Sequence, residues 1–305
     1  MIYKDLFIKT SFVALALLMP FYSSAQVVVE EESKSNVQNH GFYIGGQYKP
    51  GISIMGDLTL KGDLVDIKAI IGLKPEATGT VDADGKTAIG KALETATNFK
   101  GIYKPTYNNS LTGFSGLIGY SMNSGMRIEF EGSYEDFELK NPGGYTLKDG
   151  YKYFVAAYNL KSGSSDEVDS GSKKYFIIKN SNIVVASTMI NACYDFALDS
   201  LSNVREISPY LCAGVGGSFV KVFNSQHIKF AYQAKAGVSY FISPSVAIFA
   251  DGYYEGILNN KFRNFSSYNH ESNTSSSMNF DHNVIYATLD FNYFGAEVGV
   301  RFTFN

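Results

Sequence analysis

The sequence of 305 residues is poor in the side chains that build most metal and catalytic sites. It has four histidines (His40, His227, His270 and His282), and none has ligand spacing to another histidine, a cysteine or an acid. No serine–histidine–acid or cysteine–histidine group can be assembled from the sequence either. We therefore expect no catalytic residues, no metal and no cofactor, and we predict that the protein is not an enzyme.

Charge is also scarce. Asp, Glu, Lys and Arg make up 18% of the chain, whereas about 25% is usual for a soluble domain. The formal net charge of −3 argues against a nucleic-acid partner. Tryptophan is absent, yet 22 tyrosines and 23 phenylalanines are present, and this aromatic content does not suit a disordered chain.

Beyond the N-terminus the sequence has no long hydrophobic run. The first 25 residues fit a secretory signal peptide, because a basic segment with Lys4 and Lys9 precedes the apolar core SFVALALLMPF, and small residues precede a cleavage point after Ala25. We expect 26–40 to be a polar periplasmic arm. No later stretch reaches the roughly 18 to 20 apolar residues of a spanning helix. The mature chain is therefore either soluble and exported, or a membrane-spanning β-barrel.

The sequence does contain eight segments that alternate apolar and polar residues with period two, which is typical of strands with two different faces. In MRIEFEGSYED, Met126, Ile128 and Phe130 alternate with three charged residues. Most of the segments are about as long as a tilted strand that crosses a bilayer, which needs roughly 9 to 11 residues. They are 41–51, 113–122, 126–136, 182–196, 208–220, 228–241, 246–256 and the closing 293–305.

The lengths of the connections decide between the two alternatives. Every second connection is short or moderate, at about 123–125, 197–207 and 242–245. Three of the others are long and polar, at about 52–112, 137–181 and 257–290, whereas 221–227 is short. Short turns on one side and long loops on the other are typical of bacterial outer-membrane barrels. We predict an all-β, antiparallel barrel over 41–305, with short periplasmic turns and long extracellular loops.

The predicted strand number is eight. It becomes ten if the alternating stretches near 151–160 and 173–180 enter the sheet as a hairpin. In a bilayer every backbone polar group must be paired, so the last strand should pair with the first and leave no free edge. The apolar row of YFGAEVGVRFTFN would then face lipid, and Glu297 and Arg301 would face the interior.

Ten charged residues fall on the polar, inward face of these strands. Two interpretations remain open: the charges neutralise one another in a filled interior, or they line a pore and set its ion selectivity. The predicted lumen-lining residues are Lys49, Arg127, Glu129, Glu131, Lys229, Lys235, Asp251, Glu255, Glu297 and Arg301.

The two cysteines form a candidate disulfide. In a hairpin centred between Ser202 and Asn203, Cys193 lies directly opposite Cys212, and both share the inward face. Directly opposed strand residues lie about 4.5 to 5.5 Å apart at Cα, which is within disulfide range. The hypothesis is a cross-strand bond, and the alternative is two free buried thiols.

Several blocks of the sequence resemble the major surface antigen family of ehrlichial and anaplasmal bacteria, also called the immunodominant outer-membrane proteins. The blocks run in order from 41 to 302 and include GFYIGGQYKP, SGLIGYSMNSGMRIEFEGSYEDF, KKYFIIKN, NACYD, SPYLCAGVGG, FAYQAKAGVSYFISP, DGYYEGILNNKF and YFGAEVGVRF. The resemblance implies an exported, surface-exposed barrel in the cell outer membrane, with porin-like uptake, antigenic loops and host contact.

These features lead to two functional predictions. The first is porin-like passive diffusion of small hydrophilic solutes; the second is a closed barrel that displays variable loops for host-cell adhesion and immune evasion. A barrel hydrolase or acyltransferase is a more distant third. The expected partners are outer-membrane lipid, the barrel-assembly machinery, and host cells and antibodies at the loops, with the oligomeric state left open.

Overall fold

The computed structural model describes nine segments of the chain. The predicted signal peptide and nearly all of the arm at 26–40 lie outside them, so both stay predictions. The described residues are 40–63, 65–78, 90, 92–93, 95–160, 175–196, 207–264, 267–270 and 285–304.

Strands dominate the described residues. They are β1 (Gly41–Tyr48), β2 (Gly51–Met55), β3 (Thr59–Gly62), β4 (Val65–Leu73), β5 (Phe99–Ile102), β6 (Phe114–Ser121), β7 (Met126–Phe137), β8 (Tyr153–Leu160), β9 (Tyr175–Lys179), β10 (Ile183–Asp195), β11 (Ile207–Val222), β12 (Ser225–Ser243), β13 (Val246–Ile257), β14 (Lys261–Phe262), β15 (Ser267–His270), β16 (Ile285–Thr288) and β17 (Phe291–Phe304). Short 3-10 helices cover Ala96–Asn98 and Gly150–Lys152. No helix in these segments is long and apolar enough to span a membrane.

Eight of the strands form a closed antiparallel barrel in the order β1-β6-β7-β10-β11-β12-β13-β17. The last strand closes it by pairing with the first, with Phe304 opposite Phe42. After Pro50 the chain continues as β2, which pairs with the upper part of β17. The predicted barrel of eight strands is confirmed, and closure leaves its backbone without a free edge in the bilayer.

The ten-strand alternative is wrong. The stretches near 151–160 and 173–180 do form a hairpin, because β8 pairs with β9. However, β8 and β9 belong to a separate five-stranded sheet, with the order β15-β9-β8-β4-β5. Both strands bury apolar residues in a hydrophobic core. This burial stabilises the hairpin without any pairing to the barrel strands.

The barrel strands alternate as the sequence predicts. On β7 the outward Phe130 is 49% exposed, whereas its neighbour Glu131 is 1% exposed. On β17 the outward Val298 and Phe302 are exposed, and Glu297 and Arg301 are buried. An exposed apolar belt around a closed sheet is the surface that lipid covers in an outer-membrane barrel.

The long loops contain more structure than the sequence predicts. Besides the five-stranded sheet, they form a three-stranded sheet with the order β14-β16-β3. We call these two small sheets the extracellular cap. Their apolar faces pack with the upper ends of the barrel strands into one core, which includes Phe137, Phe154, Phe176 and Phe262.

Candidate functional site in the barrel interior

All ten predicted lumen-lining residues point into the barrel, and each is 8% exposed or less. They do not form a single group. Eight of them meet in two clusters, which we name after Lys49 and Arg127. The Lys49 cluster also contains Glu131, Lys235, Glu255 and Glu297, and the Arg127 cluster also contains Glu129 and Arg301. Asp251 lies beside both clusters, whereas Lys229 lies at the extracellular end.

The Lys49 cluster crosses the barrel near its middle. Lys49 directly follows β1, and its Nζ lies 3.3 Å from Glu131 Oε1, 3.5 Å from Glu255 Oε2 and 3.2 Å from Glu297 Oε1. These carboxylates come from β7, β13 and β17. Lys49 Nζ also donates to Gln233 Oε1 on β12 at 3.0 Å. A single ammonium therefore links strands on opposite sides of the barrel.

Backbone packing fixes the position of Lys49. Its N–H donates to the carbonyl of Gly113 at 2.9 Å, immediately before β6 begins. A Cβ at Gly113 would collide with the carbonyl oxygen of Lys49 and the carboxylate of Glu135. Glycine at this position is what lets the segment after β1 lie against β6, so that Lys49 enters the interior.

A second ammonium completes the Lys49 cluster. Lys235 Nζ lies 2.8 Å from Glu131 Oε2 and 2.7 Å from Glu297 Oε2. Neutral amides donate to the same carboxylates, since Gln47 donates to Glu297 at 3.0 Å and Asn191 donates to Glu131 at 3.0 Å. Buried charges are tolerated only when they are paired and hydrogen-bonded in this way.

The Arg127 cluster lies nearer the periplasmic end. Arg127 Nε lies 2.7 Å from Asp195 Oδ2, and its Nη1 contacts Glu129. Arg301 Nη2 lies 3.7 Å from the same Glu129 oxygen. The two guanidinium groups also lie over aromatic rings: Arg127 is 5.0 Å from the centre of the Tyr210 ring, and Arg301 is 5.1 Å from that of Tyr43. Cation–π contacts of this kind strengthen when they are desolvated.

Beside this cluster a disulfide joins Cys193 to Cys212. The two residues are directly opposed in the β10–β11 pairing, as the hairpin register predicts, and their Cα atoms are 4.0 Å apart. Both face the interior and pack against Tyr43, Leu117 and Phe249. Leu117 and Phe249 interrupt the polar alternation of the inward faces of β6 and β13, and they share one buried cluster with this disulfide.

The remaining two predicted residues have other partners. Asp251 is directly opposite Glu297 in the β13–β17 pairing and accepts a hydrogen bond from the Tyr210 hydroxyl. Lys229 donates to the backbone carbonyl of Lys261 at 2.5 Å and lies over the Phe262 ring at 4.6 Å. Lys229 thus fastens the cap to the barrel and contributes to neither charge cluster.

The extracellular end of the interior is filled by apolar and aromatic side chains. Tyr253 and Tyr293 lie above the Lys49 cluster, and Lys49 Nζ is 4.5 Å from the centre of the Tyr253 ring. Phe137 contacts the rings of both Phe291 and Tyr293, with centroids 5.4 Å apart in each case. Tyr293 and Phe137 are fully buried.

Several residues of the two clusters were not among the predicted sites. Asp195, Tyr43, Gln47 and Asn191 all follow the same inward alternation that selected the ten charges. Choosing charged residues alone omitted the neutral hydrogen-bonding groups. Asp195 lies two residues from Cys193 on the same inward face of β10, and its pairing with Arg127 could be predicted only with the register between β10 and β7.

The interior offers little to a metal ion. Among the described residues, one group of three potential ligands comes together, namely Glu129 with Cys193 and Cys212. The two sulfur atoms are bonded to each other, and metal coordination by cysteine requires thiolates. Glu129 alone remains, and it already contacts two guanidinium groups.

Comparisons with known proteins identify the family of the chain. The family model described as "Surface antigen" matches residues 34–304. The chain is 29% identical over 240 residues to Major surface antigen 4 of Anaplasma marginale, covering 79% of this chain and 77% of that protein.

Similar solved structures include Neisserial surface protein A, at 14% identity and a TM-score of 0.35, with 87% of this chain and 97% of that one covered. Another is the outer membrane protein OprG from Pseudomonas aeruginosa, at 10% identity and a TM-score of 0.42, with 88% and 98% covered. With its closed barrel and its family match over nearly the whole of 41–305, the chain belongs to the surface antigen family of outer-membrane β-barrels.

Proposed function

We propose that the protein is a closed outer-membrane barrel that displays a folded extracellular cap to host cells and antibodies and performs no chemistry. The observation that carries this proposal is the position of Lys49. Its ammonium is fully buried and contacts carboxylates on β7, β13 and β17. A solute on the barrel axis would have to displace these contacts.

The width of the barrel supports a closed interior. Eight strands enclose a space that side chains can just fill. In this barrel, long side chains and their amide partners reach one another across that space; Gln233, for example, donates to Glu131 at 2.9 Å. The aromatic residues at the extracellular mouth add a second barrier above the Lys49 cluster.

The cap supports the display function. It is built from sheets whose apolar faces are buried in a core shared with the upper ends of the barrel strands, so it can present a fixed surface outside the cell. The relative from Anaplasma marginale is named a major surface antigen. We extend that property to this chain, and we place its contacts with host cells and antibodies on the cap. Insertion by the barrel-assembly machinery after signal-peptide export belongs to the same proposal.

Porin-like passive diffusion of small hydrophilic solutes is the second candidate, and one observation favours it. Of the charged side chains buried in the described residues, seven are acids and five are bases. An interior lined by unbalanced charge attracts ions of the opposite sign. If the clusters and the cap opened together, the pathway should prefer cations.

Conductance of the refolded mature protein in planar bilayers separates the two candidates. We expect no stable openings from the wild-type protein and none from an Arg127→Ala, Arg301→Ala variant that retains heat-modifiable migration. Stable wild-type openings, with an ion selectivity that shifts in the variant, would establish the porin function and reject the closed barrel. A binding assay of the same protein on host cells, with and without antibodies against the cap, tests the display function separately.

A further inference from the structure

We propose that the outer face of the three-stranded cap sheet binds a sulfated polysaccharide of the host-cell surface. The proposal rests on the display function argued above and assigns it a partner class and a site. It is based on the arrangement of charges on β3, β14 and β16.

The two faces of this sheet differ sharply. Leu60, Phe262, Ile285 and Ala287 point into the cap core, and each is 6% exposed or less. The opposite face carries hydroxyl and cationic side chains. We call it the cationic face, and it consists of Thr59, Lys61, Lys261, Arg263, Tyr286 and Thr288.

Strand pairing places the cations around one tyrosine. Lys61 is directly opposite Tyr286, and Lys261 is directly opposite Thr288, two residues further along β16. The guanidinium of Arg263 lies 4.7 Å from the centre of the Tyr286 ring, and the Lys261 ammonium lies 5.4 Å from it. These cation–π contacts hold both positive groups at the surface of the sheet.

The charge of the cationic face contrasts with that of the whole chain. The chain carries a formal net charge of −3, whereas this small face presents three basic side chains. Asp63 lies at its edge, where Oδ2 is 2.8 Å from Arg263 Nη1, and both side chains of this pair are about half exposed. An exposed pair of this kind is weak, so an external anion can compete with Asp63 for the guanidinium.

The geometry favours an extended polyanion. Neighbouring strands are about 4.8 Å apart, so the cations on the two outer strands of this sheet are about 10 Å apart at the backbone. Charges spread over a flat face suit anionic groups that repeat along a chain. Guanidinium and ammonium groups bind sulfate by charge-assisted hydrogen bonds, and the hydroxyls of Thr59, Thr288 and Tyr286 can both donate to and accept from sugar hydroxyls.

Binding of the full mature protein to immobilised heparin tests the proposal, with desulfated heparin and vesicles of anionic phospholipid as comparison probes. We expect heparin binding that weakens with salt. Each of Lys61→Ala, Lys261→Ala and Arg263→Ala should lower the affinity about threefold, which corresponds to the energy of one exposed charge contact. Asp63→Asn should raise the affinity, because it releases Arg263. Lys140→Ala removes the same charge from another exposed position and should have no effect.

Three results would overturn the proposal. They are heparin binding that survives the triple variant, equal binding to desulfated heparin, and stronger binding to anionic vesicles than to heparin. Heat-modifiable migration shows that each variant is folded. If the triple variant still binds host cells and the wild-type barrel does not conduct, the display function stands and this site alone is rejected. Stable wild-type conductance would reject the closed barrel whatever the heparin result.

Discussion

The ammonium of Lys49 lies 3.3 Å from the carboxylate of Glu131. Lys49 directly follows β1 and Glu131 lies on β7, and β6 separates these two strands in the sheet. The same ammonium reaches Glu255 on the other side of the barrel at 3.5 Å. Contacts of this span are possible only because eight strands enclose so narrow an interior. Charged side chains that would line a wider pore here form ion pairs across the axis.

Replacing Lys49 by methionine should strongly destabilise the barrel. The change removes the ammonium that contacts Glu255, and it leaves Lys235 as the cation shared by Glu131 and Glu297. Breaking a buried ion pair by removing one partner costs about 3–5 kcal/mol. The measurement is the free energy of unfolding in urea, followed by the loss of heat-modifiable migration in lipid vesicles.

Two further variants make this prediction specific. Lys140→Met, at an exposed position, should leave the free energy of unfolding unchanged. Adding Glu255→Gln to Lys49→Met should recover part of the loss, since it removes the carboxylate that has lost its ammonium partner. Equal stabilities of the wild type and Lys49→Met would show that the Lys49 cluster is not what holds the interior together.

Removing the disulfide should also weaken the barrel. Cys193 and Cys212 are separated by 19 residues along the chain, and closing a loop of about this length restricts the unfolded chain by about 3 kcal/mol. The Cys193→Ala, Cys212→Ala variant should lose that amount in urea unfolding. A thiol-alkylating reagent should add no mass to the freshly isolated wild-type protein until a reductant is present. Alkylation without reductant would contradict the bond.

The sequence was sufficient to predict the barrel and the direction of its side chains. Alternation of apolar and polar residues over ten or more positions predicts which residues share a face of a strand, as Arg127 and Glu129 do on β7. The segregation of short and long connections then orients the barrel. The disulfide partners followed from one hairpin register, because Cys193 and Cys212 lie on strands adjacent in the chain.

The sequence was not sufficient to predict the ion pairs or the cap. Which acid meets Lys49 depends on the width of the barrel and on strands that are not neighbours, so alternation along one strand carries no information about it. The cap strands β3 and β16 have four residues each. Runs this short give a weak periodic signal, and the partner of Leu60 is Ala287, near the other end of the chain.

The cap should lose stability in alkaline solution. Burial raises the pKa of Tyr103 and of Tyr107 well above the usual tyrosine range, and both hydroxyls contact the Asn180 side chain. An unfolded tyrosine ionises near pH 10. Because the folded pKa is the higher one, this stability is complete below about pH 10 and decreases as the pH rises further.

Tyr107→Phe tests that cause. At neutral pH the variant loses the hydrogen bond from Tyr107 to Asn180 Oδ1, which is 3.0 Å long, and should be less stable by about 1 kcal/mol. Above about pH 10 its stability should fall less steeply than that of the wild type, because one buried hydroxyl fewer resists ionisation. The measurement is the rate of proteolysis within the cap across this pH range. Identical pH profiles for the two proteins would exclude Tyr107 as a contributor.

A single arginine placed on the outer face of the barrel should distinguish the lipid-covered surface from the exposed surface of the cap. Phe130 lies midway along the barrel strands and is 49% exposed, whereas Ile102 on β5 of the cap is 79% exposed. Arg or Lys at the bilayer midplane costs about 2–4 kcal/mol, and a surface substitution in water usually changes stability by less than about 0.5 kcal/mol. Phe130→Arg should therefore lower the free energy of unfolding in vesicles, and Ile102→Arg should not. In a micelle, whose surface adapts to the added charge, the difference between the two variants should shrink. Equal tolerance of both arginines in vesicles would mean that the apolar belt around Phe130 does not face lipid.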